Sequence, residues 1–93
     1  MVIGVCTIEL HIPGSGSLKE KRHSLRSLKD RIQNKFNVSV AEVENNDLWQ
    51  KATLTVAAVS NDKTYLNQTF DHIIDLIRSV PDVSLLDYAI ELF

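Results

Sequence analysis

The sequence predicts an α+β domain in which two helices cover one face of a four-stranded antiparallel sheet. Four segments have the alternating or β-branched composition of strands, and two have apolar residues at the spacing of amphipathic helices. These segments follow in the order β-α-β-β-α-β, with no linker or repeat between them. Because 93 residues suffice for one core but not for two, we expect a single domain over residues 1–93.

The first half of the chain predicts a strand and a helix. Residues 2–12 alternate, and the side predicted for the core contains Cys6, Ile8, Leu10 and Ile12. Ser17 and Glu20 then fit a capping box, in which Ser17 accepts from the amide of Glu20 while Glu20 reaches back, so the helix is expected to start at Leu18. Its apolar stripe contains Leu18, Leu25, Leu28, Ile32 and Phe36.

The second half predicts a hairpin, a helix and a last strand. Residues 38–44 and 51–60 are rich in β-branched residues and are joined by the turn-rich segment 45–48. Residues 60–62 offer an N-cap to a second helix, whose apolar stripe is Leu66, Phe70, Ile73 and Ile77. Residues 83–92 alternate again, with one side formed by Leu86, Tyr88, Ile90 and Leu92. Two interleaved split βαβ units of this kind form a ferredoxin-like sandwich.

The composition is that of a packed globular protein, with 44% apolar residues, 24% charged residues and only three Gly and two Pro. Cys6 is the only cysteine, so no intramolecular disulfide can form, which fits a reducing compartment. The N-terminal segment lacks a basic leader and contains Glu9, which argues against a signal peptide or a membrane span. We therefore expect a cytoplasmic protein with no membrane partner.

Charge is distributed unevenly along the chain. Residues 1–36 contain seven Lys and Arg against three acids, a net charge of +4, whereas residues 37–93 contain three against nine, a net charge of −6. The overall charge of −2 conceals this polarity. One surface of the protein is therefore expected to attract an anionic partner.

Four cations of the first helix fall on one line, here called the basic stripe: Lys19, Arg22, Arg26 and Lys29. The stripe is about 15 Å long and lies about a quarter turn from the apolar stripe. Lys21 is placed near the apolar edge, where its ammonium is expected to reach water and support the stripe. Two interpretations are open, a phosphate-binding surface for structured RNA or a ribosomal particle, and an ordinary solvated helix face. The nearly pure positive charge argues against a plain solvated face, which usually mixes signs, but leaves both interpretations open.

The loop before this helix has a second possible role. Ser15, Gly16 and Ser17 lead into a helix N-terminus, where free amides can hold an anion. Glu20 competes for the same amides if the capping box forms. Helix capping is the favoured interpretation, and an anion-binding loop is the alternative.

The sheet face away from the helices lacks aromatic residues on its central strands, so base stacking there is not expected. Its partly apolar and partly acidic composition favours self-association or a protein partner, through the face or a strand edge. The residues predicted there are Ile3, Val5, Thr7, Glu9, Thr53, Thr55 and Val59.

Trp49 is the only tryptophan, and it stands at the end of the hairpin connector. A single tryptophan usually seals the edge of a core, which is the favoured interpretation. In a loop it can also anchor a partner.

No residue constellation points to catalysis. His11, His23 and His72 belong to different elements and lack the spacing of metal ligands, so no metal or other cofactor is expected. A hydrolase related to acylphosphatase would nominate Arg22 and Asn61, but the loop signature of that family is missing. We expect a protein without enzymatic activity.

Four segments carry a family resemblance: SLKEKR at 17–22, NKFNVSVAEV at 34–43, DLWQKA at 47–52 and AVSND at 58–62. In these the chain resembles the YlxP-like family of small bacterial proteins of unknown function. The resemblance implies a ferredoxin-like fold and no established activity, cofactor or catalytic residue. Genes of this family often lie beside those for translation initiation factors and ribosome-binding factor A, which favours a role near ribosomal RNA or in ribosome assembly.

Overall fold

The computed structural model describes all 93 residues and confirms the ferredoxin-like fold. The elements are β1 (Val2–His11), α1 (Leu18–Lys35), β2 (Ser39–Glu44), β3 (Lys51–Ser60), α2 (Lys63–Arg78) and β4 (Ser84–Leu92). The sheet order is β2-β3-β1-β4, and all neighbouring strands are antiparallel.

Side-chain caps define both helix starts. The Ser17 hydroxyl accepts from the amide of Glu20 at 3.2 Å, which confirms the predicted start of α1 at Leu18. The Glu20 carboxylate accepts from the amide of Gly16 at 2.7 Å, so it reaches one residue beyond the cap. Asp62 caps α2 by accepting from the amide of Thr64 at 2.9 Å.

The core lies between the helices and the inward side of the sheet. All four inward residues predicted on the first strand segment are buried, as are all four stripe residues predicted on α2. Among the apolar residues predicted to be buried by the first helix, Leu18 is the exception, because it is only partly buried and lies outside the core. Phe36 is also partly buried but packs against the core. The buried residues of α1 are Lys21, Leu25, Leu28 and Ile32.

A β-bulge changes the predicted alternation of β4. Glu9 pairs with Asp87, but the next residue of β1, Leu10, pairs with Leu85, which leaves Leu86 as the extra residue. Leu85 therefore packs against the core, and Leu86 is exposed. The prediction that Leu86 shares a face with Ile90 is wrong, because the extra residue in the bulge shifts the alternation of inward and outward side chains by one position.

Cys6 is fully buried in β1, as its inward position predicts. Burial raises the pKa of the Cys6 thiol to about 11, and the negative charge of Asp71 adds to the rise. The thiol is therefore protonated at neutral pH and acts as a small core group.

Neither helix is both long and apolar enough to cross a membrane.

Candidate nucleic-acid interface

The basic stripe lines a groove beside the edge of the sheet. Lys19, Arg22 and Arg26 are exposed, and Lys29 is half-buried. The groove has a volume of about 470 Å³, and its other wall includes Glu42 of β2. Because β2 is an edge strand, the stripe is open to a large partner approaching from that side.

None of the four stripe cations forms an ion pair. The protein contains two ion pairs within 4.0 Å, Lys21 with Glu42 at 3.0 Å and Lys51 with Glu9 at 3.9 Å. The carboxylate in the wall of the groove, that of Glu42, is thus already paired with a cation outside the stripe. The stripe therefore keeps its positive charge in the folded protein.

Lys21 is fully buried, and the prediction that its ammonium reaches water is wrong. Its Nζ donates to the backbone oxygens of Asn45 at 2.7 Å, Lys51 at 3.1 Å and Asn46 at 3.4 Å. These carbonyls of the hairpin connector and of the first residue of β3 replace water around the ammonium. Lys21 therefore holds the connector against α1 and is out of reach of a nucleic-acid partner.

The contact of Lys21 with Glu42 is chiefly a charge–charge contact. The Oε2 atom of Glu42 lies 3.0 Å from the Lys21 Nζ, but this buried oxygen has no well-oriented hydrogen-bond donor. The ammonium directs its hydrogens at the connector carbonyls instead. The charge of Lys21 thus neutralises Glu42, while its hydrogen bonds fix the connector.

The loop formed by Ser15, Gly16 and Ser17 is occupied by its own hydrogen bonds. The nearly buried Ser15 donates its hydroxyl to the Ser17 carbonyl at 3.0 Å, and the Gly16 amide donates to Glu20. The neighbouring cavity of about 600 Å³ is lined by two carboxylates, Glu20 and Asp82, as well as by Lys19. This arrangement favours helix capping over anion binding.

The open face of the sheet has an apolar row at one end and an acidic row at the other, and exposed Glu91 lies opposite Val5 in the row next to the apolar one. Residues that pair across neighbouring strands and point to this face form rows across the sheet. The row at the end where β1 begins, here called the apolar row, contains Val59, Ile3 and Phe93. Three rows further on lies the acidic row: Glu44, Thr53, Glu9 and Asp87. The Thr53 hydroxyl donates to Glu9 at 3.1 Å and accepts from the Asn45 amide at 2.9 Å.

Trp49 is 56% exposed, so the favoured interpretation that it seals the core edge is wrong. The connector turns away from the core before β3 begins, and Gln50 anchors it in place of Trp49. The Gln50 side chain donates to the backbone oxygens of Ser15 at 3.1 Å and Pro13 at 3.4 Å. Trp49 and Leu48 instead line a shallow surface groove with His11, Gln50 and Lys51.

The structure does not bring together Arg22 and Asn61, the pair that a hydrolase related to acylphosphatase would nominate. Arg22 lies near the start of α1, beyond the His11 end of β1, whereas Asn61 follows Ser60, which pairs with Val2 at the opposite end. His23 and His72 are exposed on different helices. No group of three His, Cys, Asp or Glu residues is placed to hold a metal ion.

The fold and the groove define a small ferredoxin-like α+β protein with an unpaired basic stripe on its first helix. The sequence profile of a family described as a protein of unknown function, DUF503, matches residues 3–90. The chain is also 38% identical over 82 residues to the uncharacterized protein YlxP of Bacillus subtilis (strain 168), an alignment that covers 88% of this chain and 89% of that protein. The chain therefore belongs to the DUF503 family, and its resemblance to YlxP is confirmed.

Proposed function

We propose that this protein is a cytoplasmic, non-enzymatic module that binds structured RNA, free or within a ribosomal particle, through the basic stripe. One observation carries the proposal: the stripe cations line a single groove and have no ion-pair partner in the fold. Unpaired cations on an open surface release counterions from a phosphate backbone when they bind it. The gene neighbourhood implied by the family resemblance supports ribosomal RNA as the source of the partner.

The chemistry of the groove favours phosphates over bases as its ligands. Its lining contains no Phe, Tyr or Trp and no Asn or Gln, so base contacts there are limited to His23 and the two arginines. The remaining members of the lining are His23, Leu25 and Glu42. The only carboxylate among them, that of Glu42, is already paired with Lys21, which lies outside the groove lining. Binding is therefore expected to follow the shape and charge of the RNA backbone.

The test is RNA affinity as a function of salt. With four phosphate contacts, the logarithm of the association constant is expected to fall with the logarithm of salt concentration at a slope of about −3 to −4. Replacing Lys19, Arg22 and Arg26 by Gln leaves one contact, so the slope is expected to be about −1. Fluorescence anisotropy of a labelled ribosomal RNA hairpin, between about 50 and 200 mM salt, measures both slopes.

A matched control removes the same charge elsewhere. Lys35, Lys63 and Arg78 are exposed and lie outside the stripe, and their replacement by Gln changes the net charge equally. This variant is expected to keep the steep slope. An absence of binding at low salt, or equal losses in the two triple variants, would refute the proposal.

A second candidate function is self-association through the open sheet face, which the exposed apolar row favours because Val59 is 65% and Phe93 is 68% exposed. The acidic rows of two copies would repel each other, which confines pairing to the apolar end. Three rows across four strands cover roughly 400 Å² per copy, about half of a standard interface. Any homodimer formed this way is therefore weak, and RNA binding is the leading proposal.

Sedimentation equilibrium over a range of protein concentrations tests this second candidate. We expect a reversible monomer–dimer equilibrium that appears only at high concentration, because the apolar area is small. Val59→Asp is expected to abolish it, whereas Lys63→Asp, at an exposed site on α2, leaves it unchanged. A protein that stays monomeric at all concentrations would exclude the homodimer.

A further inference from the structure

Trp49 presents an exposed aromatic surface, and the residues that line the groove beside it include no carboxylate. The indole shares its shallow groove with Leu48, which is 44% exposed, and with His11, Gln50 and Lys51. An exposed Trp and Leu pair has no role in the core of this protein. Lys51 adds a cation to the same groove, although its ammonium also lies 3.9 Å from Glu9.

The backbone that presents Trp49 is held on both sides. Before it, the Lys21 ammonium binds the carbonyls of Asn45 and Asn46, and after it the same ammonium binds the carbonyl of Lys51. The Gln50 side chain fastens the connector to the loop before α1. A large side chain on such a pre-organised backbone loses little conformational entropy when it binds a partner.

Trp49 lies at the end of the molecule where the basic stripe starts. His11 pairs with Lys51 at the end of the sheet where α1 begins, and Lys21 lies between the stripe residues Lys19 and Arg22. The contact of Lys21 with Lys51 limits the distance from the α1 backbone to Trp49 to about 20 Å, since Trp49 is two residues from Lys51.

The other strongly exposed aromatic residues are at the opposite end of the molecule. Tyr65 lies in the first turn of α2, and Phe93 pairs with Ile3, so both are near the start of β1. Among Phe, Tyr and Trp, Trp49 is thus the most exposed side chain at the end where the stripe starts, where Tyr88 is 37% exposed.

We infer that the RNA partner carries an unpaired base beside a folded segment, and that Trp49 stacks on this base while the basic stripe binds phosphates of the folded segment. This inference rests on the proposed function. The groove beside α1 contains no Phe, Tyr or Trp, and Trp49 supplies a large aromatic surface for stacking. Stacking on one aromatic side chain is expected to raise affinity about tenfold.

The experiment compares an RNA stem that has a one-nucleotide bulge with the same stem fully paired. Affinity is measured by anisotropy of labelled RNA, and stacking is measured by the fluorescence of Trp49, the only tryptophan in the chain. We expect the bulged stem to bind about tenfold more tightly and to quench the Trp49 emission. The paired stem should bind through the stripe alone and leave the emission nearly unchanged.

Variants separate stacking from electrostatic binding. Trp49→Ala is expected to bind both stems equally, with the salt slope of the unmodified protein, and Trp49→Tyr to restore the preference for the bulged stem. Leu48→Ala is the matched control and should keep the preference. Because Trp49 is exposed, these proteins should share one thermal unfolding midpoint, which excludes a folding defect.

Two results would contradict the inference, and they differ from failure of the proposed function. Equal affinity of the unmodified protein for the two stems, with unchanged Trp49 emission, would overturn base stacking and leave RNA binding by the stripe intact. An absence of binding to either stem would overturn the proposed function as well.

Discussion

Lys21→Met is expected to lower the free energy of unfolding by about 3–5 kcal/mol. The substitution keeps most of the side-chain volume but removes the ammonium, which leaves the largely buried carboxylate of Glu42 without its counter-charge. It also leaves carbonyl oxygens of Asn45 and Lys51 without their donor. Urea unfolding measures the loss as a lower transition midpoint at an unchanged slope.

Two further variants test the cause of this loss. Lys19→Met, two residues away on the exposed side of α1, is expected to change stability by no more than about 0.5 kcal/mol. Adding Glu42→Gln to Lys21→Met should recover part of the stability, because it removes the uncompensated charge but not the unpaired carbonyls. A loss below about 1 kcal/mol for Lys21→Met would contradict the role of Lys21 as a buried clamp.

Gly4→Ala is expected to destabilise the protein by about 2–3 kcal/mol through overpacking. A Cβ at this position would lie 2.7 Å from Cε2 and 2.9 Å from Cζ of Phe70, and 3.3 Å from a methyl carbon of Leu66. Phe70 and Leu66 are fully buried, so neither side chain has free space into which it can move. Glycine is required at this point because α2 packs closely onto β1.

Phe70, whose ring a Cβ at Gly4 would contact, provides the control. Phe70→Leu removes the ring atoms that a Cβ at Gly4 would meet, so Gly4→Ala should cost at least about 1 kcal/mol less in the Phe70→Leu background. Thermal unfolding of the four proteins measures this coupling. Additive effects of the two substitutions would show that the ring does not limit space at Gly4.

Most of the fold follows from local patterns in the sequence. The starts of α1 and α2 are determined by the caps at Ser17 and Asp62, which act within a few residues. The strand order along the chain and the inward side of β1 follow from hydrophobic alternation, because burial of one sheet face requires it. The bulge at Leu86 escapes this reasoning, since it depends on the pairing of β4 with β1.

The site was predictable only in part. The basic stripe follows from helical spacing, and its members line one groove. A signal for Lys21 was also present, because this residue lies four before Leu25 and seven before Leu28, in the middle of the buried face. Because lysine is usually exposed, this spacing did not lead to a prediction that Lys21 is buried. Because tryptophan is usually largely buried, the exposure of Trp49 was not predicted either.

The sequence by itself therefore determined the elements, the core faces and the alignment of four cations, because each depends on residues that are close along the chain. Only the tertiary structure decided which charges are neutralised. Lys21 and Glu42 belong to different elements, and the carbonyls that surround the ammonium come from a third segment. Since ion pairing and desolvation depend on distances through space, only the folded chain shows that Lys21 is buried, that Trp49 is exposed and that the basic stripe remains unpaired.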